Sequence, residues 1–366
     1  MNIYIEAYGC TANHDDGLIM AGLLEREGHT LTTLDHAELA ILQTCVVKDT
    51  TNQKINHRLN QIYQTKKLII SGCMAESQYQ RVKELYPKAG IINTFYITKI
   101  NEVVSALDKD KPLHFIGKRK GEVKVGLPKN YNGLANIQIA QGCASVCYFC
   151  ETKLAKGHIQ SQPIDAIKEE LKQVVLKGIT QINITSTDNG CYGLDLGTNL
   201  PKLLKELINV QGNYQLRIGM MNPEHIKKYM YELIDMFKDP RIFPFLHIPI
   251  QSGSNQVLEL MNRKYTIEEC IKIINEFRKE IPNITIATDI IVGYPDEKEA
   301  DFQKTIEFIK KMNIEVVNIS RFSPRPGTIA ARLPQLKTKV IKARSKELHE
   351  QYKSRKETRE VVVKWL

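Results

Sequence analysis

Residues 136–150 read NIQIAQGCASVCYFC: an apolar, strand-like segment from Asn136 to Ala140 runs into Cys143, Cys147 and Cys150, spaced C-x-x-x-C-x-x-C. Three thiolates on one short loop hold three irons of a cubane iron–sulfur cluster. Because the loop offers three ligands rather than four, the last iron stays open to an exogenous ligand. A structural zinc site or reduced core thiols are the alternatives. Zinc motifs pair cysteines as two separated C-x-x-C units, or as C-x-x-C followed by H-x-x-x-H, and neither occurs here. Brown anaerobic protein carrying iron and sulfide separates the cluster from colourless protein carrying zinc.

Upstream of this loop, the first hundred residues repeat one pattern three times. Short apolar runs end in Cys10 (IYIEAYGC), Cys45 (ELAILQTC) and Cys73 (KKLIISGC), and helix-like segments follow at Asp15 to Arg26, Thr51 to Gln64 and Glu76 to Tyr86. Strand-like runs alternating with helices imply a parallel sheet, whose carboxyl-end loops converge on one crevice. Three thiols distant in sequence are therefore expected to meet as ligands of a second cluster, although a lone cysteine is most often simply buried.

A polar stretch from Lys99 to Asn132, with KDKP and GKRKGE, reads as a linker between residues 1–98 and a second domain at 133–335. In that second domain strands are expected at Asn136–Ala140, Gln181–Ser186, Gln215–Met221, Leu246–Ile250, Ile284–Val292 and Val316–Phe322. Helices are expected at Pro163–Lys177, Asn199–Val210, Glu224–Phe237, Thr266–Ile281 and Glu299–Met312, with a late one near Lys339. Six such repeats suit an open (β/α)6 barrel with functional residues at the carboxyl ends of the strands. The fold class is thus α/β, a parallel-sheet domain followed by a partial barrel. Residues 336–366 form a basic C-terminal segment.

The strand-end loops carry polar residues suited to a bound polar guest: Ser186 and Asp188, Arg217, Gln251 in QSGS, Gly293 in VGYP, and Arg321 and Arg325 around SPRPGT. Asp188 and Ser254 also suit helix caps. Gly293 fits either a tight turn or the close approach of a ligand to the backbone. His247 is the one histidine near these strand ends, Cys191 lies in a strand-end loop, and Cys270 falls on the apolar stripe of its helix, which makes it core.

At 366 residues with 42% hydrophobic content, the chain can build two sizeable cores. It has no leader-like N-terminus and no apolar run near the ~20 residues that span a bilayer, so a cytoplasmic protein without membrane partners is expected. Eight cysteines in a chain of this size do not suggest a secreted disulfide framework. The formal charge of +10 favours a polyanionic partner such as RNA.

The triad loop, with Tyr148 and Phe149, resembles the cluster loop of radical S-adenosylmethionine enzymes. Together with GCTANHDDGLIMAGLL, QTC, SGCMA, YGLDLGTNLPKLL, RIGMMNP, HIPIQSGSNQVLELMNRKYT, TDIIVGYPDEKEADF and SPRPGT, it resembles the radical S-adenosylmethionine methylthiotransferases over nearly the whole chain. YGLDLGTNLPKLL and RIGMMNP resemble the archaeal and eukaryotic branch, which acts on threonylcarbamoyl adenosine beside the tRNA anticodon. The resemblance implies two [4Fe–4S] clusters, on Cys143, Cys147 and Cys150 and on Cys10, Cys45 and Cys73, facing one cavity. It also implies S-adenosylmethionine as methyl donor and radical source, bound near Tyr148, Phe149, Ser186, Asp188, Arg217, Gln251 and Gly293. Lys156, Arg321 and Arg325 are expected to touch substrate. tRNA and an electron donor are the implied partners of a monomer, the sulfur source is unknown, and no general base is assigned.

Relatives more often carry an apolar or basic residue at Glu151 and arginine at Lys156, and they finish with a small RNA-gripping β-barrel, the TRAM domain. This sequence stops at Trp365 and Leu366, where that module would start, so tRNA binding is expected to be weak and steeply salt-dependent. The basic segment Lys337 to Lys364 can contact phosphates directly, although a basic helix is more often simply a solvated face. Two other classes stay open: a different radical S-adenosylmethionine enzyme, with about four irons per chain instead of about eight, and a non-catalytic iron–sulfur or zinc RNA-binding protein.

Overall fold

The computed structural model of the protein describes residues 1–117, 123–131 and 133–353. Most of GKRKGE, Asn132 and the last part of the Lys337–Lys364 segment, with Trp365 and Leu366, lie outside the described residues. The chain forms two compact units: one comprises residues 1–144, 150–187 and 210–214, the other residues 145–149, 188–209 and the chain from Gln215 onward.

The first unit is built on a six-stranded sheet, β1 (Asn2–Ala7), β2 (Thr30–Leu31), β3 (Leu39–Thr44), β4 (Lys67–Gly72), β5 (Gly90–Ile92) and β6 (His114–Phe115). Every pairing is parallel, and the order is β2-β1-β3-β4-β5-β6. Such a sheet must be covered on both faces, and the alternation of side chains along a strand delivers that. Ala40 and Leu42 of β3 and Ile70 of β4 pack with Ile55, Leu59, Ile62 and Val82; Leu39, Ile41 and Ile69 pack on the other side with Ile19, Met20, Leu24 and Val104. The covering helices are α1 (Thr11–Arg26), α2 (Asp49–Tyr63), α3 (Cys73–Ser77), α4 (Tyr79–Leu85) and α5 (Ile100–Asp108).

Two expectations change here. The expected helix from Glu76 breaks into α3 and α4, with α3 beginning on the cysteine itself. The expected linker is folded: α5 buries Val103, Val104 and Leu107, β6 extends the sheet, and Lys124 and Lys129 are buried in ion pairs. The polar composition of the stretch hid its structure because these lysines are polar groups with internal partners.

The same unit contains β7 (Leu134–Gln138), β8 (Ala140–Gln141), α6 (Glu151–Lys156), β9 (Gln160–Ser161), α7 (Ile164–Leu176) and β10 (Gln181–Thr185). β7 and β10 pair in parallel; β8 and β9 form a short antiparallel pair.

The second unit continues with α8 (Leu200–Ile208), β11 (Gln215–Ile218), α9 (Pro223–Ile226), α10 (Met230–Phe237), β12 (Phe245–His247), α11 (Asn255–Leu260), α12 (Ile267–Glu280), β13 (Thr285–Val292), α13 (Glu299–Met312), β14 (Val316–Arg321) and α14 (Thr338–Lys353). β12, β13 and β14 form a parallel sheet in that order. Thr266 starts α12 with a reciprocal capping box to Glu269, and Cys270, Ile273, Ile274 and Phe277 bury one face of that helix. Strands β7, β10, β11, β12, β13 and β14 give the expected count of six. The expected helix Glu224–Phe237 is interrupted, as α9 and α10.

Candidate metal centres

Cys10 sits at the start of α1 in the loop after β1, Cys45 directly follows β3, and Cys73 opens α3 after β4. Because β1, β3 and β4 are neighbours, the three thiols stand at the carboxyl ends of three adjacent parallel strands. β1 and β3 also flank the point where strand order reverses, the place where open α/β sheets receive ligands. Gly9 lets these loops close up: it has φ +101°, and a Cβ there would lie 2.5 Å from the Cys45 Cβ and Sγ. Asn13 fixes the arrangement by donating from Nδ2 to the Thr44 carbonyl at 2.8 Å and the Tyr8 carbonyl at 3.2 Å.

Cys45 and Cys73 are buried and Cys10 is exposed; none of the three is in a disulfide. Burial pushes the Cys45 thiol up, and the nearby Cys10 charge adds to it. Burial raises Cys73 strongly; Lys156 opposes this, while Cys45 and Cys10 add to it. The three thiols therefore feel one another and one lysine. Lys156, at the end of α6, is 1% exposed. Burial pushes its ammonium toward neutrality, but the charges of Cys73, Cys10, Asp16 and Cys45 outweigh that and hold its pKa above the ordinary value. Lys156, expected to touch substrate, is thus placed beside the amino-terminal cysteines. Its neighbour Ala155 lies in the same apolar cluster as Cys45 and Cys73.

In the first unit, the Cys143 N–H donates to the Gly157 carbonyl at 3.3 Å, and Cys150 is the residue before α6. Glu151 is buried, and Oε1 accepts from Ser77 Oγ at 2.9 Å and Gln78 Nε2 at 2.8 Å. In the second unit Cys147 Sγ accepts a hydrogen bond from Arg263 Nη1 at 3.1 Å. Phe149 meets the edge of Tyr294 at 6.4 Å, and Tyr148 donates its backbone N–H to Met261.

The strand-end residues have definite places. Ser186 is buried just past β10. Asp188 caps a short 3₁₀ turn, accepting from the Gly190 N–H at 2.9 Å and the Asn222 N–H at 3.0 Å. Ser254 occupies the N-cap position of α11, but its hydroxyl donates to Asp301 at 2.7 Å instead of accepting from the helix. Arg217 lies over the Phe245 ring at 4.7 Å, and burial lowers its pKa. Gln251 is held in a left-handed conformation, φ +77°, its N–H donating to the Asp289 carbonyl at 2.8 Å. A polar side chain in a strained backbone at a strand end suits a binding role.

Gly293 has φ +79°, and the space a Cβ would fill is taken by Ile341 of α14, 2.6 Å away. The close approach expected of a ligand edge is made on that side by the chain's own isoleucine. His247 is paired with Asp289 at 2.9 Å. Cys191 is buried and donates its S–H to the Asp188 carbonyl. Cys270 is fully buried, as expected of core. Arg321 is exposed and Arg325 half-buried in the turn that Thr328 closes.

Sequence reasoning singled out neither Arg263 nor Asn222. Arg263 is buried and also donates to Asn222 Oδ1 at 3.0 Å, the Pro249 carbonyl at 2.8 Å and Tyr265 at 2.7 Å. Asn222 in turn donates to the Ser145 hydroxyl at 2.9 Å. The signal available was an arginine two residues before a tyrosine in MNRKYT, with no acidic residue beside it.

Comparison with known proteins agrees with this architecture. Residues 137–309 match the family model of the radical SAM superfamily, and residues 2–93 match that of an uncharacterized protein family, UPF0004. The structure resembles that of a radical S-adenosylmethionine methyltransferase, TsrM, from Kitasatospora setae. The TM-score is 0.63 at 13% identity, covering 90% of this chain and 74% of that one, a likeness of fold. The human threonylcarbamoyladenosine tRNA methylthiotransferase is 36% identical over 94% of this chain and 61% of its own length. The "Probable threonylcarbamoyladenosine tRNA methylthiotransferase" of Pyrococcus horikoshii is 39% identical over 95% of this chain and 83% of its own length. With its carboxyl-end cysteines and its radical SAM segment on one continuous match, the chain belongs to the threonylcarbamoyladenosine tRNA methylthiotransferase family.

Proposed function

We propose that this protein methylthiolates carbon two of threonylcarbamoyl adenosine beside the tRNA anticodon, with S-adenosylmethionine as both methyl donor and radical source. The single observation that carries the two-cluster form of this reading is the gathering of Cys10, Cys45 and Cys73 at the ends of β1, β3 and β4. Three cysteines outside any disulfide at a strand-order reversal, with a buried lysine as counter-charge, suit a cubane cluster with one open iron. The Cys143, Cys147 and Cys150 loop offers the same donor set.

Bound on these thiols, [4Fe–4S] clusters supply the one-electron chemistry that splits S-adenosylmethionine and a seat for the sulfur to be transferred. The target aryl carbon has no easily lost proton, so acid–base catalysis by a side chain would not suffice. The protein's residues bind, orient and exclude water. Lys156 offsets the negative charge of three thiolates in a buried place. Asn13 and Gly9 hold two of the cysteine loops together. Asp188, spent on two backbone N–H groups, shapes the turn after β10, and Gln251 presents its amide from a fixed backbone. tRNA is the polyanionic partner that the +10 charge suits, and an external electron donor completes the requirement.

The test is mass spectrometry of tRNA nucleosides from cells with and without the gene. The methylthio derivative of threonylcarbamoyl adenosine is expected to vanish on deletion and return on complementation; an unchanged nucleoside profile contradicts the proposal.

A further inference from the structure

We propose that Arg263 is a positioning residue that sets the reduction potential of the cluster on Cys143, Cys147 and Cys150. This rests on the reading of that triad as a cluster site. Three consecutive residues after α11 clasp the cluster loop from outside. The Met261 carbonyl accepts from the Tyr148 N–H at 3.1 Å, Asn262 Nδ2 donates to the Val146 carbonyl, and Arg263 Nη1 donates to Cys147 Sγ at 3.1 Å. Asn262 adopts φ +58°, a left-handed turn that asparagine tolerates and that brings both flanking residues onto the loop.

The guanidinium is rigidly placed. Three of its other N–H donors are taken by Tyr265, Asn222 and the Pro249 carbonyl, and the side chain is 8% exposed. Asn222 closes the circuit by donating to Ser145, which lies in the same loop as Cys147. A fixed cation with an N–H aimed at a ligand sulfur withdraws electron density from it, and it favours the more negative, reduced cluster most where water is scarce. Hydrogen bonds to ligand sulfurs are among the main settings of such potentials. Arg263 thus makes the electron easier to accept, and its fork ties that setting to the turn after β11 and the end of β12.

The experiment is an electron-paramagnetic-resonance redox titration of the full chain carrying Cys10→Ala, Cys45→Ala and Cys73→Ala, so that only the triad's cluster reports. Arg263, Arg263→Lys and Arg263→Gln are compared, after iron and sulfide are counted in each. With iron content equal, the midpoint potential is expected to fall in Arg263→Gln and less in Arg263→Lys, which keeps the charge but not the fork. Reductive cleavage of S-adenosylmethionine is expected to slow roughly tenfold or more in Arg263→Gln. Equal potentials at equal iron content would overturn the inference while leaving the cluster reading intact. Absence of iron from the parent chain would overturn the cluster reading and this inference together. If glutamine prevents folding, the lysine variant decides: a potential equal to that of the parent overturns the inference.

Discussion

The carboxylate of Glu151, the residue directly after Cys150, accepts a hydrogen bond at 2.9 Å from the hydroxyl of Ser77, which ends the helix that Cys73 begins. With Gln78 donating to the same oxygen, α6 is locked to α3 at one end, while Lys156 at its other end faces the amino-terminal cysteines. Glu151→Ala strips the acceptor from the buried Gln78 amide and the half-buried Ser77 hydroxyl and is expected to cost about 1–3 kcal/mol of stability, read from urea unfolding of the metal-free protein. Glu151→Gln is expected to raise the midpoint potential of the adjacent cluster by removing a negative charge. An unchanged midpoint would remove Glu151 from any electronic role.

Lys129 stands 2.9 Å from Asp15 and 2.7 Å from Glu170, all three buried. Burial outweighs the lysine's pull and pushes the Asp15 carboxyl up to about 6. Lys129→Met would leave two carboxylates facing each other without a cation, and should cost about 3–5 kcal/mol at neutral pH. The sign of the pH effect follows from Asp15 gaining protons on folding: its contribution is largest below its unfolded value and is lost as pH rises through about 6. The variant should therefore recover part of its deficit when unfolded near pH 5 instead of pH 8. A deficit independent of pH would contradict this account of the network.

Gly293 and Ile341 occupy the same space in alternative ways. Gly293→Ala meets both a positive φ and the Ile341 side chain at 2.6 Å, and should destabilise by about 2–4 kcal/mol. Adding Ile341→Ala relieves the clash but not the backbone strain, so the double variant should be less damaged than the sum of the single changes. Strict additivity in denaturant midpoints would show that the contact does not govern the site.

On α14, Lys339, Lys342 and Lys346 are exposed at helical spacing, while Arg344 turns inward to Glu297 at 2.7 Å. tRNA affinity is expected to fall steeply with salt, and replacing the three lysines by glutamine should flatten the log–log salt dependence by about two to three. Filter binding across a salt series reads this directly. An unchanged slope would place the RNA contact elsewhere.

The alternation of apolar runs and helical stripes was enough to read the sheet-and-helix order, because β3 and β4 must be apolar on both faces to sit in mid-sheet. The convergence of Cys10, Cys45 and Cys73 was legible because parallel strands put all their following loops on one side. The stretch from Lys99 to Asn132 was misread because Lys124 and Lys129 look like solvated charges until Asp16, Asp15 and Glu170 are found beside them, distant in sequence. Arg263 escaped for the same reason: its partner sulfur lies 116 residues away, in another loop. The surroundings of Lys156 were not legible either, because they depend on how α6 packs on α3 through Glu151, Ser77 and Gln78.

The central claim, two separate cysteine trios each holding a cluster, is tested most directly by counting iron and acid-labile sulfide in anaerobically reconstituted protein with and without Cys10, Cys45 and Cys73. The account predicts about eight irons per chain in the parent and about four in the triple alanine variant. About four irons in both, or zinc in their place, would contradict it.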